Sequence, residues 1–242
     1  MGPRRPVAGC PRSSFADHVV KSGKCIYSIV TDFEAVKAIV MQEDELPLAN
    51  YMAVVLAGGE ARRMGRNKLL MEISARPMIR HVVETIRGVA AQVIVVTGHQ
   101  DDRVREAIER LPVEVVTSDP AAGPAEAINA AFARARGLPG YANCEGILLC
   151  VGDQPRLTER EMAGLISAYR ETDRCKPLVP VSGERRGFPV VVPPGYDVSA
   201  VDLLSPDVVS EHPDKIAVFG TKNPVYGSSV DTPEDYRAFF AI

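Results

Sequence analysis

Tyr51-Met52-Ala53-Val54-Val55-Leu56-Ala57-Gly58-Gly59-Glu60-Ala61-Arg62-Arg63-Met64-Gly65-Arg66-Asn67-Lys68 joins an unbroken apolar run to a cationic, glycine-rich loop. The run 52–57 has no polar side to offer water, so it predicts a strand covered on both faces, as in a parallel sheet. Gly58 and Gly59 admit backbone conformations closed to other residues and let main-chain N–H groups approach a ligand closely. Arg62, Arg63, Arg66 and Lys68 concentrate positive charge beside them. Backbone donors and cations together suit a polyphosphate. Two common phosphate-loop spacings are absent: the second glycine adjoins the first, which excludes GxGxxG, and Lys68 falls three residues after Gly65, which excludes GxxxxGK[ST].

Outward from this loop, strand and helix signals alternate. Ile79, Val82, Val83 and Ile86 carry helical spacing within 77–90. Apolar runs at 93–96, 113–116 and 146–151 read as strands, separated by helices over 102–111 and 125–136 and followed by one over 159–171. This alternation predicts an α/β fold with a mostly parallel sheet and helices on both faces. Beyond Pro177 the strands 178–181, 189–192 and 216–219 are short and flanked by proline, as expected of a mixed edge or lid. Residues 1–50 read as a separate extension: Pro3, Pro6, Gly9 and Pro11 break its start, 25–30 has a short strand pattern, and 33–40 has helical spacing. Glu43, Asp44, Glu45 and Pro47 then read as a linker, leaving 51–242 as the main domain.

Ligands of such sheets bind beyond the carboxyl ends of the strands. There, Val151-Gly152-Asp153-Gln154-Pro155 places a carboxylate opposite the cationic loop. One or two carboxylates completed by phosphate oxygens is the usual protein share of a Mg²⁺ site. Ser118-Asp119-Pro120-Ala121-Ala122-Gly123-Pro124 follows the 113–116 strand and reads either as a ligand loop or as a turn with a proline starting a helix. Ser229-Val230-Asp231-Thr232-Pro233-Glu234-Asp235 offers Asp231 as a second carboxylate, while Thr232 to Asp235 also has the form of a helix cap. His99, after Gly98, stands at another strand end.

These segments resemble the nucleotidyltransferases of the molybdenum-cofactor family, the MobA-like cytidylyltransferases and guanylyltransferases. The loop is similar to their signature L-A-x-G-x-S-x-R-M-G-x-x-K at Leu56, Ala57, Gly59, Arg63, Met64, Gly65 and Lys68, with Ala61 in place of the usual Ser. Gly152-Asp153-Gln154-Pro155 resembles the family's metal-binding G-D-x-P. Arg185-Arg186-Gly187-Phe188-Pro189 resembles R-R-G-H-P, with Phe188 in place of His, and 229–235 resembles D-I-D-T-P-E-D, with Ser229 in place of its first acid.

The resemblance implies a three-layer Rossmann-like nucleotidyltransferase of the nucleotide-diphospho-sugar transferase type. It implies transfer of NMP from CTP or GTP to a phosphate-bearing acceptor, molybdopterin or molybdenum cofactor, with release of pyrophosphate. Arg63, Lys68 and Asp153 would be catalytic, and Leu56, Ala57, Gly58, Gly59, Arg63, Lys68, Asp119 and Gly123 would hold the nucleotide. Asp153 and Asp231 would bind Mg²⁺, and Arg186, Gly187 and Phe188 would face the acceptor. An acceptor-carrying enzyme or a second copy of the chain is the expected protein partner. Two other readings stay open: a nucleotide-binding relative without turnover, and a transferase acting on sugar or alcohol phosphates. A dinucleotide-dependent oxidoreductase is disfavoured by the missing GxGxxG.

The whole-chain composition agrees with an ordinary globular protein. Of 242 residues, 46% are hydrophobic and 24% charged, with a net charge of −3, which speaks against a broadly basic nucleic-acid-coating surface. The absence of Trp and the 6% aromatic content weaken any reading built on stacked bases. Cys10, Cys25, Cys144, Cys150 and Cys175 form an odd set without CxxC, unlike a secreted disulfide framework or zinc ribbon. Charged residues interrupt every apolar stretch near the start, so the expectation is no signal peptide, no membrane span and a cytoplasmic location.

Overall fold

The computed structural model describes residues 50–58, 67–98 and 102–239. The expected strand at 25–30, the helix over 33–40, most of the cationic loop (including Gly59, Ala61, Arg63 and Gly65) and His99 lie outside the described residues.

The first apolar run forms β1 (Tyr51–Leu56), followed by a 3-10 turn at Lys68–Leu70 and a small hairpin of β2 (Glu72–Ile73) and β3 (Arg76–Pro77). Then come α1 (Met78–Arg87), β4 (Gln92–Gly98), α2 (Asp102–Ile108), β5 (Glu114–Ser118), α3 (Gly123–Arg136), β6 (Gly146–Val151) and α4 (Glu159–Arg170). The C-terminal third holds β7 (Leu178–Ser182), β8 (Arg185–Arg186), β9 (Val190–Val192), α5 (Val208–Glu211), β10 (Ala217–Thr221), a 3-10 turn at Pro224–Gly227 and α6 (Pro233–Phe239). Among the described residues these strands build an eight-stranded sheet in the order β10-β7-β9-β6-β1-β4-β5, with β8 beside β7. Every pairing is parallel except those of β9 with β6 and β7 and of β8 with β7. The sheet is therefore mostly parallel and partly mixed, as expected from the sequence.

Alternation along β1 explains the three layers. Tyr51, Ala53 and Val55 point into a core with Met78, Ile79, Val82, Val83 and Ile86 of α1 and Met162, Leu165 and Ile166 of α4. Met52 and Val54 point the other way, against Ile128, Ala131, Phe132 and Ala135 of α3. A strand apolar on both faces is stable only when both are covered, which fixes helices on each side. α4 is started by a capping box in which Thr158 and Glu161 satisfy each other's backbone donors. Cys150 is a buried free thiol and Cys144 a partly buried one, whereas Cys175 is disulfide-bonded, which departs from the expectation of unpaired cysteines. No helix of the described residues is long and apolar enough to cross a membrane.

Candidate active site

The register brings the site loops to one sheet edge. Leu56, the last residue of β1, pairs with Val151 at the end of β6 and with Val96 near the end of β4. Gly98 of β4 in turn pairs with Ser118 of β5. The chain runs outward from β1 through β4 to β5 and then returns to the opposite side of β1 as β6. That reversal opens a crevice at the carboxyl ends of β1 and β6.

Lys68 and Asp153 meet in this crevice. Lys68 opens the 3-10 turn, whose Leu69 is buried and whose start is fixed by the Asn67 side chain accepting from Leu69 N at 3.0 Å. Its ammonium donates to Asp153 Oδ2 at 2.6 Å and to Asp231 Oδ1 at 2.7 Å. The side chains of Lys68 and Asp153 are only 23% and 18% exposed, and that of Asp231 is 49% exposed. Desolvation alone would lower the Lys68 pKa, but the two carboxylates outweigh it and hold the ammonium above its ordinary value. Asp153 Oδ1 is buried and has no hydrogen-bond partner.

Asp153 owes its position to the residues around it. A Cβ on Gly152 would stand 2.9 Å from Ile79 Cδ1, 3.3 Å from Leu56 O and 3.4 Å from Leu69 Cδ2, so only glycine lets α1 and the Lys68 turn close over this loop. Gly152 N donates to Leu56 O at 3.0 Å, and His81 Nε2 lies 3.2 Å from Pro155 O. On the other side Gln154, 4% exposed, donates to Tyr226 O at 2.7 Å, while Val230 N donates to Asp153 O at 2.9 Å. That last bond carries Asp231 to the Lys68 ammonium. Ser229 Oγ donates to Asp231 Oδ2, and Thr232 and Asp235 form the cap of α6. The helix-cap reading of 229–235 therefore holds for Thr232 to Asp235, while Asp231 is brought to Lys68.

The other sequence candidates occupy the flanks. Gly58 is exposed, and a Cβ there would make only ordinary contact, 3.6 Å from Gly98 N, so packing does not demand glycine. Leu56 and Ala57 belong to the strand end beneath it, with Ala57 N donating to Val96 O at 2.8 Å. Asp119 Oδ1 accepts from Ala121 N at 2.9 Å in a turn, and Gly123 takes φ +83° with open space where a Cβ would be. Two strand spacings, about 10 Å, separate this corner from the end of β1, so the structure does not bring Asp119 to Lys68. Arg186 is turned inward: its guanidinium donates to Leu203 O and lies 4.0 Å over the Phe188 ring. Desolvation lowers its pKa to about 10, opposed by Asp202. Gly187 is buried against Tyr226, whose carbonyl accepts from Phe188 N at 2.8 Å.

Sequence reasoning missed the cleft beside Asp231. It has a volume of about 350 Å³ and is lined by Arg156, Arg185, Ser228, Ser229, Asp231 and Asp235, among others. Arg156 directly follows Gly152-Asp153-Gln154-Pro155 and Arg185 precedes Arg186, so adjacency to the motifs was the available signal. Tyr226, which anchors both Gln154 and Phe188 through one carbonyl, left no signal in the sequence.

The site thus sets a cationic turn against two carboxylates at the switch point of a mixed α/β sheet. Residues 53–207 match the MobA-like NTP transferase domain, and the chain belongs to that family; it is a nucleotidyltransferase. The Rv0371c homologue of Mycobacterium sp. strain JC1 is 26% identical, with 80% of this chain and 96% of that chain covered at a TM-score of 0.63. Rv0371c of Mycobacterium tuberculosis H37Rv, solved as a complex with manganese, is 22% identical over 79% and 98% of the two chains, with a TM-score of 0.59. A nucleotidyl transferase of Methanothermobacter, Mth528, is 23% identical over 78% and 95%, with a TM-score of 0.61.

Proposed function

We propose that residues 51–242 transfer an NMP group from CTP or GTP to the phosphate of an acceptor of the molybdopterin or molybdenum-cofactor type. The observation that carries this reading is the Lys68 ammonium held between Asp153 and Asp231 at the mouth of the sheet. In the reaction an acceptor phosphate oxygen bonds to the α-phosphorus, the α–β bridging bond breaks, and pyrophosphate leaves with its electron pair. Positioning and charge neutralisation dominate such transfers, and an ionised acceptor phosphate needs no general base.

Gly58 and Gly59 would present backbone N–H groups to the triphosphate, with Leu56 and Ala57 as their support. Arg63 and Lys68 would stabilise the charge on the bridging and leaving oxygens. Asp119 and Gly123, some two strands away, would face the nucleoside end. Asp153 and Asp231 fit Mg²⁺: the pair supplies the one or two carboxylates such an ion takes, and the buried, unpartnered Asp153 Oδ1 is a donor without a protein use. A divalent ion bound there neutralises phosphate charge and orients the α-phosphate. The complex of Rv0371c with manganese supports the use of a divalent ion. The cleft beside Asp231 would give the acceptor room, with Arg185 in its lining. Arg186, Gly187 and Phe188 would support the acceptor side from behind, since they are packed together and tied to Tyr226. We place the reaction in the cytoplasm, where such acceptors are made.

The test is pyrophosphate release from each of four NTPs, with molybdopterin-type and simple phosphate acceptors, with and without Mg²⁺. Release with CTP or GTP that requires both Mg²⁺ and a molybdopterin-type acceptor is expected. Release only with sugar or alcohol phosphates would move the acceptor to the wider superfamily. NTP binding without any release would identify a relative that has lost turnover.

A further inference from the structure

The two carboxylates proposed to hold the metal already hold a cation. One nitrogen, Lys68 Nζ, bridges Asp153 Oδ2 and Asp231 Oδ1 at 2.6 and 2.7 Å. A Mg²⁺ ion needs its oxygens at about 2.0–2.1 Å, so an ion shared by these same two oxygens must sit where the ammonium sits. On these two oxygens ammonium and ion cannot be accommodated together, and their mutual repulsion in a partly buried site is large. The site is also unsuited to having neither: Asp153 is 18% exposed, and removing every cation would leave it and Asp231 as neighbouring like charges.

The Lys68 side chain is built to move while its backbone is not. The 3-10 turn is fixed by Asn67 and by buried Leu69, whereas the ammonium is carried on a flexible four-carbon stem. A triphosphate in the glycine loop offers Lys68 new anionic partners at the moment a metal needs its old ones. We infer that Lys68 is an exchangeable counter-ion: it keeps Asp153 and Asp231 together in the empty enzyme and passes to the triphosphate on nucleotide arrival. The enzyme therefore takes up its divalent ion with the nucleotide and holds it poorly beforehand. This rests on the NTP-transfer reading above and adds an order of binding to it. Lys68 is then both a phosphate ligand and the residue that positions the metal carboxylates.

The experiment measures Mn²⁺ binding to the full chain without nucleotide, from the spectrum of free Mn²⁺ in electron paramagnetic resonance. Wild type, Lys68→Met and the double variant Lys68→Met/Asp231→Asn are compared, with circular dichroism showing that each is folded. Lys68→Met is expected to bind Mn²⁺ at least tenfold more tightly than wild type, and the double variant to lose that gain. Lys68→Arg, which keeps the charge, is expected to bind Mn²⁺ as weakly as wild type. Equal or weaker binding by folded Lys68→Met would overturn the exchange, because the ion would then sit elsewhere, for instance on Asp153 Oδ1 with Lys68 left in place. Pyrophosphate release by the wild type is scored separately. A gain in Mn²⁺ affinity without turnover on any NTP would sink the transferase reading alone, and turnover without the gain would sink the exchange alone.

Discussion

The two halves of the sheet deliver site residues in different ways. In β1, β4, β5 and β6 each connection returns the chain in parallel, so Gly58 and Asp153 follow the ends of β1 and β6 by two residues at most. In the other half β9 runs against its neighbours, and no strand ends beside Asp153. Asp231 reaches Lys68 through backbone: Gln154 and Phe188 N both donate to Tyr226 O, Gly187 abuts Tyr226, and Val230 N donates to Asp153 O. Parallel topology places a functional residue at almost no cost in contacts. An irregular segment must be fastened point by point, and each fastening is a place where the site can fail.

Lys68→Ala separates chemistry from fold most sharply and carries the largest expected effect. Its ammonium is the meeting point of the two halves, yet its backbone is held by Asn67 and Leu69. Loss of a preorganised donor to the developing charge lowers turnover by about 10²–10³-fold, equivalent to about 2.7–4 kcal/mol. Pyrophosphate release at saturating NTP and Mg²⁺ measures it, and circular dichroism should be unchanged. Full turnover by this variant would end the role given to Lys68.

Gly187→Ala attacks the fastened half without touching a proposed ligand of the nucleotide. The new Cβ would stand 2.5 Å from Tyr226 O and 2.6 Å from its carbonyl carbon, both backbone atoms that cannot rotate away. Overpacking of this kind costs about 1–3 kcal/mol. A lower Tm is expected, together with a raised metal requirement for turnover, because Tyr226 also holds Gln154 and so the Asp153 loop. A Tm within error of wild type would show that this clamp yields easily, and the contrast between the halves would weaken.

The same contrast decides what could be read in the sequence. Buried parallel strands such as 146–151 announce themselves by composition, and Lys68 and Asp153 announce themselves by following glycines at strand ends. That they stand at the same mouth of the sheet was legible from the topology, whereas their direct contact at 2.6 Å was not. Asp231 was legible only as part of a motif shared with a family. The β2–β3 hairpin was not legible at all: Ser74 and Ala75 turn at φ 51° and 62°, a conformation normally signalled by Asn or Gly. β8 and α5 were missed because they span 2 and 4 residues, too short for any period to show. Arg186 was assigned to the acceptor only through the resemblance to R-R-G-H-P, and the motif did not show that its guanidinium packs on Phe188 and donates to Leu203 O. Type and spacing carry no information about which side chain finds a carbonyl.

Thr232→Ala loosens the last fastening before Asp231. The Thr232 hydroxyl accepts from Asp235 N at 3.1 Å, and Asp235 Oδ2 accepts from Thr232 N at 2.8 Å, which together start α6. Removing such a cap costs about 1 kcal/mol, within a range of about 0.5–2. The expected result is a small fall in Tm with a raised metal requirement, since Asp235 also accepts from Asp231 N at 3.1 Å. No change in metal requirement would mean that the cap of α6 does not help to place Asp231.

The smallest effect is the pH dependence of this cap. The Asp235 pKa is held below its ordinary value mainly by the hydrogen bond from the Thr232 hydroxyl, with help from the Asp231 and Thr232 backbone and against a little desolvation. A carboxylate with a depressed folded pKa contributes stability that is present above its unfolded pKa, about 3.9, and is lost as pH falls through the folded value. Wild type should therefore exceed Asp235→Asn in Tm by a constant margin from about pH 7 down to about pH 5, and the margin should shrink below about pH 4. Asp235 is only partly buried, so the margin is small and falls further with added salt. A margin that widens toward acid would reverse the sign and show that Asp235 is destabilised, not steadied, by the residues at the start of α6.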